Sequence, residues 1–267
     1  MTGLIRPQWP VPGTVAACST TRHGGVSLPP YASLNLGAHV GDNPADVAAN
    51  RERLVALAGL PAMPFWLEQV HGTDVLRLEG QTPTAAALRA DAVYTAEPGQ
   101  VCAVMTADCL PVLFSRRDGA AIGVVHAGWR GLADGIIEKM AERIACEEAL
   151  SDWVATIGPA AHPCCYQVSD ELTETFLQRL PDLPASRVMP RPRYLDLPGI
   201  AAAKLQSLGF GAVENLAPCT ICSLSQQADG PRYAFTSYRR NSHRRAVDPA
   251  HPGIRGRNQH SGLVILP

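Results

Sequence analysis

No stretch of the chain is apolar for long enough to span a bilayer as a helix, which predicts a protein outside the membrane. Nor does it open on a secretion signal: Arg6, Pro7, Pro10 and Pro12 interrupt any early apolar run. Charge is scarce, at 18% of residues with a formal net charge of -1. There is no basic tail or stripe to hold nucleic acid and no acidic tract to bind a partner. One basic cluster, Arg239, Arg240, Arg244 and Arg245, reads as a solvated loop. Fixed-period repeats and low-complexity segments are missing, and so is any His-x-His pair among the eight histidines. Eight cysteines without a secretion signal read as thiols or metal ligands rather than a disulfide framework, so a cytoplasmic setting is expected.

Apolar material is plentiful. Hydrophobic residues make up 46% of 267, enough for a substantial core, and one domain covering 1–267 is expected. VAACSTT (15–21), PFWLEQV (64–70), DVLRL (74–78), VCAVMTA (101–107), LPVLFS (110–115), AIGVVHA (121–127) and VATIGP (154–159) read as strands. YAFTSYRR and SGLVILP read as the last two. Helices are predicted from Pro44 to about Ala58, capped by Asp42 or Asn43 and ended by Gly59, and from about Leu132 to Leu150. Two more are predicted, from Ser169 to about Leu180 and from Pro198 to Gly209. Strands and helices mix without regular alternation, which points to an α+β fold.

Three segments combine an apolar strand, a potential metal ligand and a short loop: QVHG (69–72), TADCLP (106–111) and VVHAGWRG (124–131). Zinc favours imidazole and thiolate, and catalytic sites keep three protein ligands and an open position. His71, Cys109 and His126 would make such a set, although packed side chains of the same types are equally compatible with the spacing. Asp108 adjoins Cys109 and could serve as acid or base, or could close a turn. HAGWRG runs from a strand through glycine into a helix, a geometry that attracts anions, with Arg130 beside it. TTRHGGVS offers a similar pairing with Arg22. Cys164 and Cys165 read as buried thiols. Cys219 and Cys222 form a single C-x-x-C that lacks a second pair for a structural zinc site.

Together these segments resemble a known family. TTRHGGVS, YASLNLGAHVGD, NRERL, QVHG, DAVYT, TADCLPVLF, GVVHAGWRG, IGPAAHPCCYQV and TSYRR follow in order the motifs of the YfiH-like, or laccase-domain, proteins. Those were first described as polyphenol oxidases and are now assigned as purine nucleoside phosphorylases. The resemblance implies a single-domain mixed β-sheet sandwich flanked by helices. It implies a metal on His71, Cys109 and His126: Zn2+, or Cu2+ at the same site. The implied reactions are phosphorolysis of adenosine, guanosine, inosine and methylthioadenosine, and deamination of adenosine, with Asp108, Cys109 and His126 at the centre of catalysis. Arg22, Arg130, Arg239 or Arg257 would hold phosphate, and Asn35 and His39 would touch the nucleoside. The chain differs from the family pattern at Gln167, where Glu is usual, at Asn241, where Asp is usual, and at Arg255-Gly256-Arg257, which follows an insertion. These differences bear on substrate preference and the C-terminal wall of the site.

Three other readings remain open at this point. Two His and one Cys also form the core of a blue-copper site, but a multicopper oxidase needs many more histidines than this chain supplies. Cys109 with a neighbouring imidazole could be the nucleophile of a cysteine hydrolase. A factor that edits peptidoglycan precursors is the third.

Overall fold

The computed structural model describes residues 3–83, 87–216 and 218–251, and the backbone of 260–265. The chain begins with β1 (Leu4–Ile5), β2 (Ala16–Thr20), α1 (Pro44–Ala58), β3 (Leu67–Glu68), β4 (Val75–Leu78), β5 (Leu88–Arg89) and β6 (Ala92–Thr95). Its central part is β7 (Val101–Thr106), β8 (Leu110–Arg116), β9 (Ile122–Ala127), α2 (Trp129–Asp134), α3 (Ile136–Ala145) and β10 (Trp153–Ile157). Then come α4 (Asp170–Arg179), α5 (Ala185–Val188), α6 (Leu197–Leu208), β11 (Ala212–Asn215), β12 (Leu224–Gln227), β13 (Gly230–Tyr233), α7 (Tyr238–Val247) and β14 (His260–Ile265).

Two sheets carry the fold. One has the order β1-β2-β14-β7 and the other β11-β10-β8-β9-β6-β4. In the second, β8, β9 and β6 run antiparallel in turn, while β4 joins β6 and β11 joins β10 in parallel, so the sheet is mixed. Side chains on successive strand residues point to opposite faces, and an unbroken apolar strand therefore feeds two cores. In β7, Cys102 and Val104 enter the core between the sheets with Leu113, Ile122 and Val124. Val101, Ala103 and Met105 face the other way, against Leu54 and Ala58 of α1. In β8, Leu110, Val112 and Phe114 turn to the third core, where Ile137, Met140, Phe176, Ile200 and Leu205 of α3, α4 and α6 cover the large sheet. Helix, sheet, sheet and helices thus form successive layers, the α+β sandwich that the resemblance implies.

Helix ends follow the sequence chemistry. Asn43 caps α1 by accepting from the Ala45 N–H, and Gly59 ends it in the left-handed region at φ 67°. Ser169 caps α4 and Gly209 closes α6. Two expectations need correction. The single helix from 132 to 150 is instead α2 and α3, parted at Gly135, whose φ of 92° interrupts the helical path. YAFTSYRR is not a strand: β13 ends at Tyr233 and Ser237 caps α7, which also turns the expected basic loop into a helix. Among the described residues no helix is long and apolar enough to cross a membrane.

Phe114 is fully buried and stacks at 5.3 Å from Phe210. Replacing it with Ala should cost roughly 3–5 kcal/mol of unfolding free energy, read from urea denaturation. A loss below about 1 kcal/mol would contradict the packing described.

Candidate metal centre

The centre forms where three neighbouring strands end. In the β8–β9 ladder Leu110 pairs with Ala127 and Pro111 with His126, so Cys109, just before β8, lies beside the end of β9. On the other flank Ala92 pairs with Val125, and the His126 N–H donates to the Asp91 carbonyl at 2.7 Å. His71 arrives from the turn between β3 and β4. Its backbone sits at φ 63°, and that of Asp108 at φ 88°, both in the left-handed region that non-glycine residues seldom occupy. The ligand atoms of His71, Cys109 and His126 lie within 4.8 Å of one another.

Asp91 sets this geometry. It is fully buried, and its Oδ1 accepts from His126 Nδ1 at 2.7 Å and from the His71 N–H at 2.9 Å. Its Oδ2 accepts from the N–H groups of Val70 and Gly72 at 3.1 and 2.7 Å. A carboxylate on Nδ1 fixes the imidazole and aims Nε2 away from it, as the carboxylate partners of zinc-ligating histidines do. His126 Nε2 is buried with no hydrogen-bond partner among the described residues. A buried polar atom left in that state is costly unless something binds it. The donor set and this orphaned nitrogen both fit a zinc-type ion.

The charge on Cys109 is consistent with that fit, and His126 would release a proton on binding an ion. Burial alone would raise the Cys109 thiol, but His126 and His71 beside it outweigh burial and lower it to about 6. Burial disfavours protonated His126, yet the Cys109 thiolate and Asp91 hold it up at about 9. Gly128 completes the cradle, since a Cβ there would lie 2.7 Å from His71 Cδ2 and 3.2 Å from Cys109 Sγ.

A cavity of about 180 Å³ opens beside the cluster, lined by His71, Asp108, Cys109, Trp129, Tyr166 and Arg239 among others. A larger groove of about 770 Å³ lies elsewhere, against Trp66 and Met105, and holds none of the three ligands. Chemistry rather than size identifies the site. Arg239 leans over Tyr166 at 4.8 Å and donates from Nη1 to the Gln167 carbonyl.

Four other expected residues, Arg22, Asn35, His39 and Arg130, are not among those lining this cavity. Arg22 donates to the Ala32 carbonyl at 2.7 Å and lines a separate cleft with His23, Tyr233, Asn241 and Arg244. Asn35 is buried and bonds Gly37 and Asp42, closing its own loop. His39 borders the larger groove. Arg130 is exposed and lies over Trp129 at 4.2 Å, while α2 is only six residues long. Its Gly131 permits close approach, because a Cβ there would stand 3.0 Å from the Gly72 carbonyl oxygen. Arg257 lies outside the described residues. Asp108 adjoins the cluster, but its carboxylate accepts from Thr220 Oγ1 at 2.7 Å, Ser237 Oγ at 2.9 Å and the Arg239 N–H at 2.7 Å. Those donors tie it to the start of α7. Sequence reasoning missed Asp91, Trp129 and Tyr166; the one signal for Asp91 was a carboxylate standing directly before the apolar strand of DAVYT.

Residues 16–247 match the family described as "Multi-copper polyphenol oxidoreductase laccase". The chain belongs to this family. Within it, the chain is 47% identical over 243 residues to "Purine nucleoside phosphorylase YfiH" of Shigella flexneri, covering 90% of this chain and 95% of that one. It is 42% identical to a "Purine nucleoside phosphorylase" of Haemophilus influenzae, covering 89% and 94%. The crystal structure of YlmD from Geobacillus stearothermophilus superposes with a TM-score of 0.80 at 32% identity, over 99% of this chain and 96% of that one. A laccase-domain chain with this fold and these relatives is an enzyme scaffold built around a His–Cys–His cluster.

Replacing Asp91 with Asn removes the negative partner of His126 while keeping its shape. Zinc affinity should fall by about 10–100-fold, measured by competition with a chromogenic chelator. Unchanged affinity would show that Asp91 does not orient the ligand.

Proposed function

We propose that this laccase-domain protein is a metal-dependent purine nucleoside phosphorylase that also deaminates adenosine, with zinc held by His71, Cys109 and His126. The observation that carries this reading is the convergence of those three donors beside a cavity with aromatic walls, His126 Nε2 being buried and unpartnered. The names of the relatives support the phosphorylase half. Zinc, when bound there, would supply Lewis-acid polarisation and acidify water. Copper accepts the same ligands, but the two groups of side chains that could hold a metal among the described residues include only His71 and His126 as histidines. That supply falls short of what a multicopper oxidase needs.

The chain's own residues divide the remaining work. Trp129, Tyr166 and Leu197 give the cavity flat and apolar walls suited to a purine. Among the described residues, Arg239 is the one arginine of the expected set that lines it, and its guanidinium would hold phosphate through charge-assisted donors. Phosphate then attacks the ribosyl carbon as the purine leaves, through an oxocarbenium-like state. Asp108 is assigned as a positioning residue rather than a proton shuttle. Its carboxylate accepts from three donors, and its bond to the Arg239 N–H fixes where that side chain starts. The phosphorylase reading places one domain over residues 1–267 in a cytoplasmic setting, where nucleosides and phosphate are available.

A second reading, a cysteine hydrolase, draws on the 3.8 Å approach of Cys109 Sγ to His71 Nε2. Alkylation separates the two: bound zinc should protect Cys109 from iodoacetamide and its removal should expose it. Under the phosphorylase reading, purified protein incubated with inosine should release hypoxanthine only when phosphate is present, and Cys109→Ala should abolish both this and the zinc at that site. Turnover by metal-free Cys109→Ala protein would refute it.

For Arg239→Ala, loss of a charge-assisted contact should lower kcat/KM for phosphate by about tenfold or more, with a smaller change in KM for nucleoside. Arg239→Lys should recover part of the loss. Equal effects on both substrates would remove Arg239 from the phosphate role.

A further inference from the structure

The single C-x-x-C does have its second pair. Cys164 and Cys165, far back in the chain, face Cys219 and Cys222, and the four sulfur atoms lie within 4.8 Å of one another. This corrects the sequence expectation for both pairs. Cys164 is exposed and Cys165 half-buried rather than deeply buried, and all four cysteines are unbridged. We propose that these four thiolates form a second metal site, a structural zinc separate from the His–Cys–His centre.

Distance favours a single ion. Zn–S bonds of about 2.3 Å in a tetrahedron put neighbouring sulfurs roughly 3.8 Å apart. Cys164 Sγ and Cys222 Sγ stand at 3.8 Å. A disulfide would bring sulfurs to about 2.05 Å, and a multi-iron cluster needs its cysteines spread more widely.

The surroundings are those of a built thiolate site. Cys219 Sγ accepts from the backbone at Ile221 and Cys222, so the C-x-x-C turn folds its amide groups onto its first sulfur. A third backbone donor comes from His162. The turn is fixed from behind as well, since Arg240 Nη1 donates to the carbonyls of Thr220 and Ile221 at 3.0 and 2.7 Å. On the opposite loop, Arg191 Nη2 donates to the carbonyls of Pro163 and Cys164 at 3.0 and 2.8 Å.

All four positions are filled by protein, which marks a closed structural site rather than a catalytic one. Its role follows from what it would join. Tyr166, a wall of the catalytic cavity, directly follows Cys165, and Thr220, which holds Asp108, directly follows Cys219. Between the two loops the backbone contributes one isolated bridge, Ala160 with Cys219. Zinc would staple them.

The test uses the full chain with Cys109→Ala, which disables the first centre. Zinc by mass spectrometry should fall from two ions per chain in the unaltered protein to one. Cobalt exchanged into that variant should show the intense visible bands and sulfur-to-metal charge transfer of a tetrathiolate. Adding the exposed Cys222→Ser should abolish those bands. X-ray absorption on the zinc-loaded Cys109→Ala protein gives the same information without a further substitution, and should find sulfur alone around the ion. The proposal is overturned if Cys109→Ala protein carries no stoichiometric metal, if its ion has nitrogen or oxygen ligands, if iron fills the site, or if thiol counting finds these cysteines oxidised to disulfides. Because the readout is metal stoichiometry and spectrum, failure here leaves the phosphorylase reading untouched.

Discussion

The buried carboxylate of Asp91 is the constraint from which the site is assembled. A lone carboxylate inside a protein is strongly disfavoured, and becomes tolerable only when hydrogen bonds replace its water. Asp91 takes four: the His126 ring and three consecutive backbone N–H groups at Val70, His71 and Gly72. Those amides come from a different segment than the imidazole. One side chain therefore aligns His126 on β9 and bends the 70–72 turn into the conformation that points His71 inward. Burial and hydrogen bonding pull its proton affinity in opposite directions, and hydrogen bonding prevails, so Asp91 stays below the ordinary carboxylate range.

Asp108 shows the same economy turned to another end. It is also buried, but its donors are Thr220, Ser237 and the backbone of Arg239. Ser237 caps α7, so a carboxylate sits against the positive end of that helix while the cap hydroxyl donates to it. Burial is the largest influence and raises this group. Position beside Cys109 fits acid–base work, and the hydrogen bonds also tie Asp108 to the segment that delivers Arg239. Of two buried aspartates near one centre, one orients ligands and the other orients a wall.

Much of this could be read from the sequence, and what could not has a physical reason. Strands with both faces buried advertise themselves as unbroken apolar runs, so β7, β8 and β9 were found. His71, Cys109 and His126 at their ends are only weakly marked by spacing, and it is the family motifs that group them, as the fold does. Asp91 was not found because its partners are backbone amides 19 to 21 positions away, which no side-chain pattern records. The sequence around 238–247 suggests a strand and basic loop because Tyr, Phe and Thr upstream favour strands, whereas the Ser237 cap starts a helix there. The cysteine pairs were judged separately, since 58 positions part Cys164 from Cys222 and only the fold closes that distance. Family motif groups Arg22, Asn35 and His39 with the site, whereas the fold sets Arg22 and His39 in two other clefts and buries Asn35 inside its own loop.

The two halves of the site differ in what holds them still. His126 and Cys109 stand at the ends of strands packed on both faces, and a frame of that kind moves little. The cavity walls have no such support. Tyr166 and Arg239, and Thr220 that donates to the wall residue Asp108, come from loops or a helix start that no sheet ladder extends through. Each is tied down by contacts between chain-distant residues: Thr220 and Arg239 on Asp108, Arg240 on the 220–221 turn, and the two cysteine pairs facing one another. A binding surface that must stay in register with a rigid centre, without strands of its own, requires cross-links of that sort. The cysteine quartet lies where they are most needed, between the loop that carries Tyr166 and the turn that carries Thr220.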